Sequence, residues 1–266
     1  MIELHVKEVK QVQLSILERV HQWCIDNNVQ YTLDFGTLIG AIRHKGYIPW
    51  DDDIDLSMLR ESYDKLVNKF NEDPPKYLKL HSFETDSKYI LPYAKIEDTR
   101  YLMIEPINVT SSIGINIDIF PFDSVPSDDS LWNALKKKRS FYHKQYYRSI
   151  ANPFSKGLSI LQRFHALLLK MLALGKNARY YNKKKMSLVN VKVKSPHYVA
   201  IMCGYDSPKR VFREDFSDYV ELEFEGKLFK VLKGYDRHLR ILYGDYLQLP
   251  PINERVSHHS FKAYKK

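Results

Sequence analysis

The sequence predicts an α+β protein in which a mixed sheet is flanked by helices and carries a basic helical insertion. Residues 53–58 and 113–120 alternate strictly between polar and apolar side chains, which is typical of half-buried strands. Residues 3–26 place apolar side chains at helical spacing. Residues 131–194 include further helical periodicity but are strongly basic, which separates them from the sheet.

The first elements follow from local residue types. A helix over 3–26 is expected to end at Asn27-Asn28, because Asn tolerates left-handed and turn conformations. Residues 29–35 are rich in β-branched and aromatic side chains and predict a strand. Gly36-Thr37 should break that strand, and a short helix should begin at 38–42.

The later elements follow from the same criteria. The strand over 113–120 is expected to end at Pro121. The remaining predicted elements are a helix at 60–71, strands near 77–83, 89–97 and 100–105, helices at 130–148 and 157–174, a hairpin of 219–224 and 227–232, and a short helix near 234–243. We expect one domain over residues 1–266, with a catalytic sheet core at 1–125, the basic helical segment at 126–195, and completion of the fold at 196–266.

Composition limits the class of protein. The chain has 266 residues, of which 44% are hydrophobic and 27% charged, as in an ordinary globular protein. Cys24 and Cys203 lack metal-ligand spacing, which suits a reducing compartment. No secretory leader or spanning apolar run is expected, so the cytoplasm is the simplest location.

The net charge of +9 is concentrated in one segment. Residues 131–194 contain sixteen Lys or Arg and no Asp or Glu, whereas the rest of the chain is mildly acidic. Such asymmetry favours an anionic partner: a membrane surface, a phosphate-bearing polymer or a nucleic acid. Peripheral contact with the anionic inner face of the plasma membrane is one such expectation. The alternative is a solvated helical face. The apolar stripe of 157–174 could lie in the membrane interface, but packing inward against a helical subdomain is the preferred interpretation of the stripe itself.

The central chemical feature is the cluster Asp51-Asp52-Asp53-Ile54-Asp55. Its carboxylates repel one another, and a cation among them would remove that repulsion. On a strand, Asp53 and Asp55 point to the same side, roughly 6.5–7 Å apart, so both can hold one divalent cation. Mg²⁺ is the natural candidate, with Mn²⁺ as a substitute. The alternatives are an acidic loop or a calcium loop, but the glycine and distal glutamate of an EF-hand are missing.

Asp118 lies on the polar face of the second alternating strand. If both strands adjoin in one sheet, Asp118 joins Asp53 and Asp55, where it can bind the metal or take a proton from an attacking hydroxyl. The turn Gly36-Thr37 could meet donor phosphates through backbone N–H groups and a hydroxyl. Additional cations that could clamp a second phosphate are Arg43 and Lys45.

The stretch from Asp34 to Asp55, which reads DFGTLIGAIRHKGYIPWDDDID, resembles the signature of the LicD family of phosphocholine transferases of bacterial surface glycans. Two later stretches are similar to the family as well: residues 117–123 (IDIFPFD), and 243–246 (YGDY) with Pro250-Pro251. The resemblance implies a nucleotidyltransferase-like fold of the DNA polymerase β type. It also implies catalytic and metal-binding roles for Asp53, Asp55 and Asp118 and donor-phosphate contacts for Gly36 and Thr37.

The resemblance implies a reaction as well: a CDP-activated alcohol, most simply CDP-choline, gives its phospho-alcohol to a sugar hydroxyl, and CMP leaves. The acceptor would be a lipid-linked or polymeric sugar of a teichoic acid, capsule or lipopolysaccharide precursor. Ribitol- or glycerol-phosphate transfer, and a true nucleotidyltransferase that releases pyrophosphate, remain alternatives. A nucleic-acid-binding module would leave the acidic cluster unexplained, so no nucleic acid is expected.

Further side chains are candidates for the donor subsite. Asp51 and Asp52 could orient the strand, hold a second metal ion or meet a choline head group. An aromatic wall would suit a quaternary ammonium group. The aromatic candidates are Trp50, Tyr47 and Tyr93, and candidates to reach a phosphate from the C-terminus are Arg255, His258 and His259.

Overall fold

The computed structural model describes residues 1–104, 113–154, 158–189, 193, 196–204, 207–257 and 261–266. In these ranges the α-helices are α1 (Val6–Asp26), α2 (Phe35–His44), α3 (Arg60–Lys69), α4 (Asp129–Ile150), α5 (Ile160–Leu172), α6 (Ala178–Met186) and α7 (Tyr235–Tyr243). The strands are β1 (Ile2–Leu4), β2 (Thr32–Leu33), β3 (Asp55–Leu59), β4 (Leu78–His81), β5 (Ala94–Asp98), β6 (Tyr101–Ile104), β7 (Ile115–Val125), β8 (Tyr198–Ala200), β9 (Val211–Phe212), β10 (Tyr219–Phe224), β11 (Lys227–Leu232) and β12 (Lys262–Lys265).

The main sheet is mixed, as the sequence predicts. Its strand order is β2-β3-β7-β5-β4, with β8 added to the far end of β7 and β9 paired to β8. The β3–β7 pair is parallel, while β2–β3, β5–β7 and β4–β5 are antiparallel. A smaller sheet pairs β1, β12 and β6, and the predicted hairpin is confirmed as β10–β11. The α+β class is therefore confirmed.

Alternation along β7 positions one face of the main sheet in the core. The side chains of Ile113, Ile115, Ile117 and Ile119 are all buried, as the sequence predicts. Ile115, Ile117 and Ile119 share a hydrophobic cluster with residues of β3 and α1, so the helix covers this face of the sheet. The polar residues of β7 consequently point to the opposite face, where the site lies.

The prediction that Pro121 ends the strand is wrong, because β7 continues to Val125. The Asp118 N–H donates to the Ile54 carbonyl at 2.9 Å, so alternate N–H groups of β7 point toward β3 and position 121 points away. On that side the first residue of β5, Ala94, lies opposite Ile119, and the last residue of β8, Ala200, lies opposite Asp123. Pro121 lies between these partners, so its missing N–H breaks no ladder bond.

The start of α2 also differs from the prediction. The strand expected over 29–35 is reduced to Thr32–Leu33, and the helix begins at Phe35 rather than near residue 38. Asp34 caps the helix by accepting a 2.8 Å hydrogen bond from the Phe35 N–H, and Phe35 has φ 48°. Gly36 and Thr37 therefore lie in the first turn of α2.

Helices α4, α5 and α6 occupy the predicted basic segment. Trp132 of α4 packs against β8 residues, and Tyr146 of α4 packs against Tyr181 of α6. The preferred prediction that the apolar stripe of 157–174 packs inward is wrong. All residues of α5 are described, and none of them is buried.

Candidate active site

The parallel β3–β7 pair brings two of the predicted aspartates side by side. Asp55, the first residue of β3, is in register with Asp118 of β7. Adjacent strands are about 4.8 Å apart, so the two carboxylates leave the sheet as near neighbours on one face. Asp53 lies two residues before Asp55, just ahead of the strand.

Asp55 lies in an unusually negative environment. Burial raises the pKa of its carboxyl well above the ordinary value, and the charges of Asp53 and Asp118 raise it further. Asp51 and Asp34 contribute in the same direction. Without a cation, holding this carboxylate ionised therefore costs free energy.

A cation from the protein does lie beside Asp118. The Lys95 ammonium, on the neighbouring strand β5, is 2.6 Å from Asp118 Oδ1 and 3.0 Å from Asn116 Oδ1. Lys95 is buried, and its strand position is directly opposite Asp118. It neutralises part of the local negative charge and fixes the orientation of the Asp118 carboxylate.

The donor set suits a hard divalent cation, because Asp53, Asp55 and Asp118 present carboxylate oxygens and Asp55 carries an unfavourable charge that a cation would stabilise. Within the described ranges, no group of three or more Asp, Glu, His or Cys side chains is placed so that it could hold a metal ion. The ligand set Asp53, Asp55 and Asp118 stays a prediction.

The first turn of α2 contacts the acidic cluster of residues 51–55. The Thr37 hydroxyl is buried and accepts a 2.9 Å hydrogen bond from the Asp55 N–H, which ties the helix to the start of β3. A Cβ at Gly36 would collide with the carboxylate of Asp51, so glycine permits this close approach. Thr37 thus positions Asp55, and Gly36 leaves room for Asp51.

A buried pair anchors α2 from the C-terminal part of the chain. His238 of α7 and Asp34, both fully buried, are joined by a 2.9 Å contact between Nε2 and Oδ1. Because Asp34 also caps α2, the pair links α7 to the helix start that carries Thr37.

The contacts of Arg43 and Lys45 are with the C-terminal part of the chain and not with the aspartates. Arg43 donates to the carbonyl oxygens of Tyr246 and Gln248 at 3.0 and 3.2 Å. Burial lowers the pKa of this guanidinium. Lys45 is exposed in a left-handed conformation at the end of α2, and its carbonyl accepts from the Glu225 N–H. Both residues therefore fix the end of α2 in the structure.

The C-terminal segment also contacts the acidic motif. Asp52 is buried and accepts a 2.7 Å hydrogen bond from the Ser257 hydroxyl, while its carbonyl accepts from Gln13. The Arg255 guanidinium lies 5.6 Å from the centre of the Trp50 ring. His258 and His259 lie outside the described residues.

Aromatic rings lie beside Lys95 and Asp118. The ring centroids of Tyr93 and Phe120 are 4.5 Å apart, and those of Phe35 and Phe120 are 5.3 Å apart. The Lys95 ammonium is 5.9 Å from the Tyr93 centroid. Tyr47 instead packs on Phe224, and its hydroxyl donates to the Lys10 carbonyl. Of the predicted aromatic candidates, Tyr93 thus lies near Lys95, whose ammonium contacts Asp118.

Sequence reasoning missed Lys95, Asn116 and the Asp34–His238 pair as site residues. Lys95 had a detectable signal, since it is a charged residue inside a segment predicted to be a strand. Asn116 shares the polar face of Asp118. His238 gave no signal, because only the tertiary fold brings α7 to Asp34.

Comparison with known proteins identifies the family of this chain. The family model described as LicD/FKTN/FKRP, nucleotidyltransferase domain, matches residues 28–157, which include all three aspartates. The chain is 32% identical over 279 aligned positions to the lipopolysaccharide cholinephosphotransferase LicD of Haemophilus influenzae, and the alignment covers 99% of each protein. It is also 39% identical over 57 residues, or 21% of this chain and 18% of the relative, to an uncharacterised protein of Rickettsia typhi.

Proposed function

This chain is a phosphotransferase of the LicD family, and we propose that it transfers phosphocholine from CDP-choline to a sugar hydroxyl of a cell-surface glycan, releasing CMP. The full-length similarity to a lipopolysaccharide cholinephosphotransferase supports the phosphocholine group and a lipopolysaccharide sugar as acceptor. A nucleotidyltransferase-like arrangement of the mixed sheet is part of the proposal.

The pairing of Asp55 with Asp118 is the observation that carries the proposal. In-line phosphoryl transfer needs little covalent chemistry from the protein, so it depends on positioned charge. We propose that Asp53, Asp55 and Asp118 hold Mg²⁺, or Mn²⁺ in its place, which neutralises phosphate oxygens when bound. The raised pKa of Asp55 supports this role, because a cation would favour the ionised carboxylate.

The proposed transfer is a displacement at the phosphorus atom that carries choline. The acceptor's hydroxyl oxygen attacks the phosphorus that carries choline, a sugar–oxygen–phosphorus bond forms, and the bond to the bridging oxygen of CMP breaks. The hydroxyl proton passes to a carboxylate, for which Asp118 is the candidate. Lys95 orients Asp118 through the 2.6 Å contact and adds positive charge beside the phosphate site.

The donor's head group has a suitable surface nearby. Quaternary ammonium groups are attracted to aromatic faces. Tyr93 and Phe120 pack together beside Lys95 and Asp118, and they are the rings we propose for this contact. Asp51, which lies against Gly36, is the nearby carboxylate that could meet the choline charge.

We propose that the acceptor is carried on a lipid or polymer and is reached from the cytoplasmic side of the plasma membrane. Among the helices of the described ranges, none is long and apolar enough to cross a membrane. A teichoic acid or capsular precursor would present the same chemistry as a lipopolysaccharide precursor, namely a free sugar hydroxyl.

Donor specificity can be tested directly. Purified protein would be incubated with Mg²⁺, a crude glycan acceptor and CDP-choline, CDP-ribitol or CDP-glycerol, and CMP release would be measured. Asp53→Ala and Asp55→Ala are the test variants. Asp26→Ala is the matched control, because Asp26 is an exposed carboxylate at the end of α1.

We expect CMP from CDP-choline, loss of release in the two test variants and in EDTA, and normal release in the control. Release only from CDP-ribitol or CDP-glycerol would replace choline by another alcohol. Pyrophosphate from CTP, with no CMP from any CDP-alcohol, would overturn the proposed transfer in favour of a nucleotidyltransferase.

A further inference from the structure

Helix α5 exposes an apolar surface that other helices of this protein bury. Ile160, Phe164 and Met171 are 89%, 67% and 69% exposed. Further large apolar side chains at 43% exposure or more, on α5 and beside it, are Leu161, Leu167, Leu168, Leu172, Phe154 and Leu174. Soluble proteins rarely leave a contiguous apolar patch of this kind in water, so the patch indicates a contact surface.

The helix is oriented by small residues on its other side. Ala173, at the end of α5, is buried against Tyr146 and Tyr181, and its carbonyl accepts a 2.6 Å hydrogen bond from the Tyr181 hydroxyl. Ala166 and Leu169, at helical spacing from Ala173, are half-buried. The face that carries Ala166, Leu169 and Ala173 thus packs on the protein, and the exposed apolar residues point away from it.

Basic side chains lie along one edge of this apolar face and beyond its C-terminal end. Arg163 and Lys170 are seven residues apart, so they lie along one edge of the stripe. Beyond the end of α5 a groove of about 400 Å³ is lined by Lys176, Tyr180 and Lys183, among others. The whole of residues 131–194 contains sixteen Lys or Arg and no acidic side chain.

The apolar face of α5, with basic side chains beside it, fits one class of partner. An anionic lipid surface offers negative head groups for the basic side chains and an apolar interior for the stripe. A second copy of this chain would bring two identical positive segments together, which is electrostatically unfavourable. A nucleic acid would satisfy the charge but would leave the apolar stripe in water.

We propose that α5 is a membrane-docking helix that lies in the plane of an anionic bilayer, with Ile160, Phe164 and Met171 inserted below the head groups. The helix has 13 residues, so at 1.5 Å per residue it is about 20 Å long, too short to cross the roughly 30 Å hydrocarbon core. Arg163 and Lys170 extend from the edge of the stripe to the lipid phosphates. This surface does not depend on the proposed reaction.

The test is vesicle flotation of the full chain. Vesicles of phosphatidylcholine with phosphatidylglycerol would be compared with pure phosphatidylcholine vesicles at low and high salt. The test variant is Phe164→Ser with Met171→Ser. The matched control is Ile2→Ser with Leu228→Ser. It removes two apolar side chains of β1 and β11, away from α5, that are 70% and 56% exposed.

We expect binding to the anionic vesicles that weakens at high salt. The test variant should lower the partition coefficient by about tenfold per side chain, or about a hundredfold together. The control should bind as the wild type does. In addition, Phe164→Trp should show a blue-shifted emission on addition of anionic vesicles.

Two results would overturn the proposal. One is equal flotation of wild type and the test variant, which would mean that α5 does not insert. The other is a concentration-dependent dimer in sedimentation velocity that the test variant dissociates, with no vesicle binding, which would assign the face to a second copy. Neither result bears on CMP release in solution, so failure here and failure of the proposed reaction are distinguishable.

Discussion

Replacing Asp55 by Asn should stabilise the metal-free protein and abolish transfer. The substitution keeps the shape of the side chain but removes the negative charge of the Asp55 carboxylate. Burial and the charges of Asp53 and Asp118 raise the pKa of that carboxyl. At the spacing of adjacent strands, about 4.8 Å, and an effective dielectric of about 20, two carboxylates repel by about 3.5 kcal/mol. Lys95, 2.6 Å from Asp118, offsets much of that repulsion. We therefore expect a net gain of about 1–2 kcal/mol, on the order of half the Coulomb value.

The dependence on pH has a definite sign. A carboxyl whose pKa is higher in the folded than in the unfolded state binds more protons when folded, so wild-type stability falls as pH rises above the unfolded value of about 4. The advantage of Asp55→Asn should therefore be largest near pH 8 and should disappear below about pH 4, where both forms are neutral.

Thermal unfolding in EDTA, followed by circular dichroism, measures this effect. For a chain of this size a gain of about 1–2 kcal/mol corresponds to a rise in Tm of about 2–4 °C. Mg²⁺ should raise the Tm of the wild type but not that of Asp55→Asn, because the ion binds only the intact site. Asp26→Asn, a change at an exposed carboxylate, should leave both Tm and activity unchanged. A lower Tm for Asp55→Asn in EDTA, or equal stabilisation of both proteins by Mg²⁺, would refute the reasoning.

Three further substitutions probe the surroundings of the site. Lys95→Met removes the ammonium beside Asp118, so we expect slower CMP release together with tighter Mg²⁺ binding, measured by calorimetry. Gly40→Ala places a Cβ against the carbonyl oxygen of Gly46 and should destabilise the protein by about 1–3 kcal/mol in urea unfolding. Burial raises the pKa of Asp123 to about 6, so ionising this carboxyl destabilises the folded protein. Between pH 4 and pH 7 the free energy of unfolding in urea should therefore fall by roughly 2–3 kcal/mol more for the wild type than for Asp123→Asn.

The sequence predicts the sheet at the site because alternation is a local property. The sequence of residues 113–120 alone predicts a strand with one apolar face. Because its isoleucines are buried, Asp118 lies on the opposite face of the sheet. The same reasoning applies to Asp55 and β3. Register does not follow from alternation, and the direct pairing of Asp55 with Asp118 emerges only in the folded sheet.

Residues that meet through the tertiary fold lie beyond such reasoning. Lys95 reaches Asp118 because β5 pairs antiparallel with β7, and nothing in the local sequence sets that pairing. His238 reaches Asp34 across 204 positions of the chain. Periodicity likewise identifies the apolar stripe of α5 but not its direction. That direction depends on the tertiary contact of Ala173, at the end of α5, with Tyr146 and Tyr181.

The contacts of the acidic motif explain why the whole chain, and not only its first half, resembles a relative. The matched family domain ends at residue 157, yet three buried or half-buried motif residues are held by partners beyond residue 230. Asp34 is held by His238, Arg43 by the carbonyl of Tyr246, and Asp52 by the Ser257 hydroxyl. Each bond fixes a different part of the segment from Asp34 to Asp55. The C-terminal part therefore supports the segment that carries Asp53 and Asp55, which agrees with similarity over 99% of both chains.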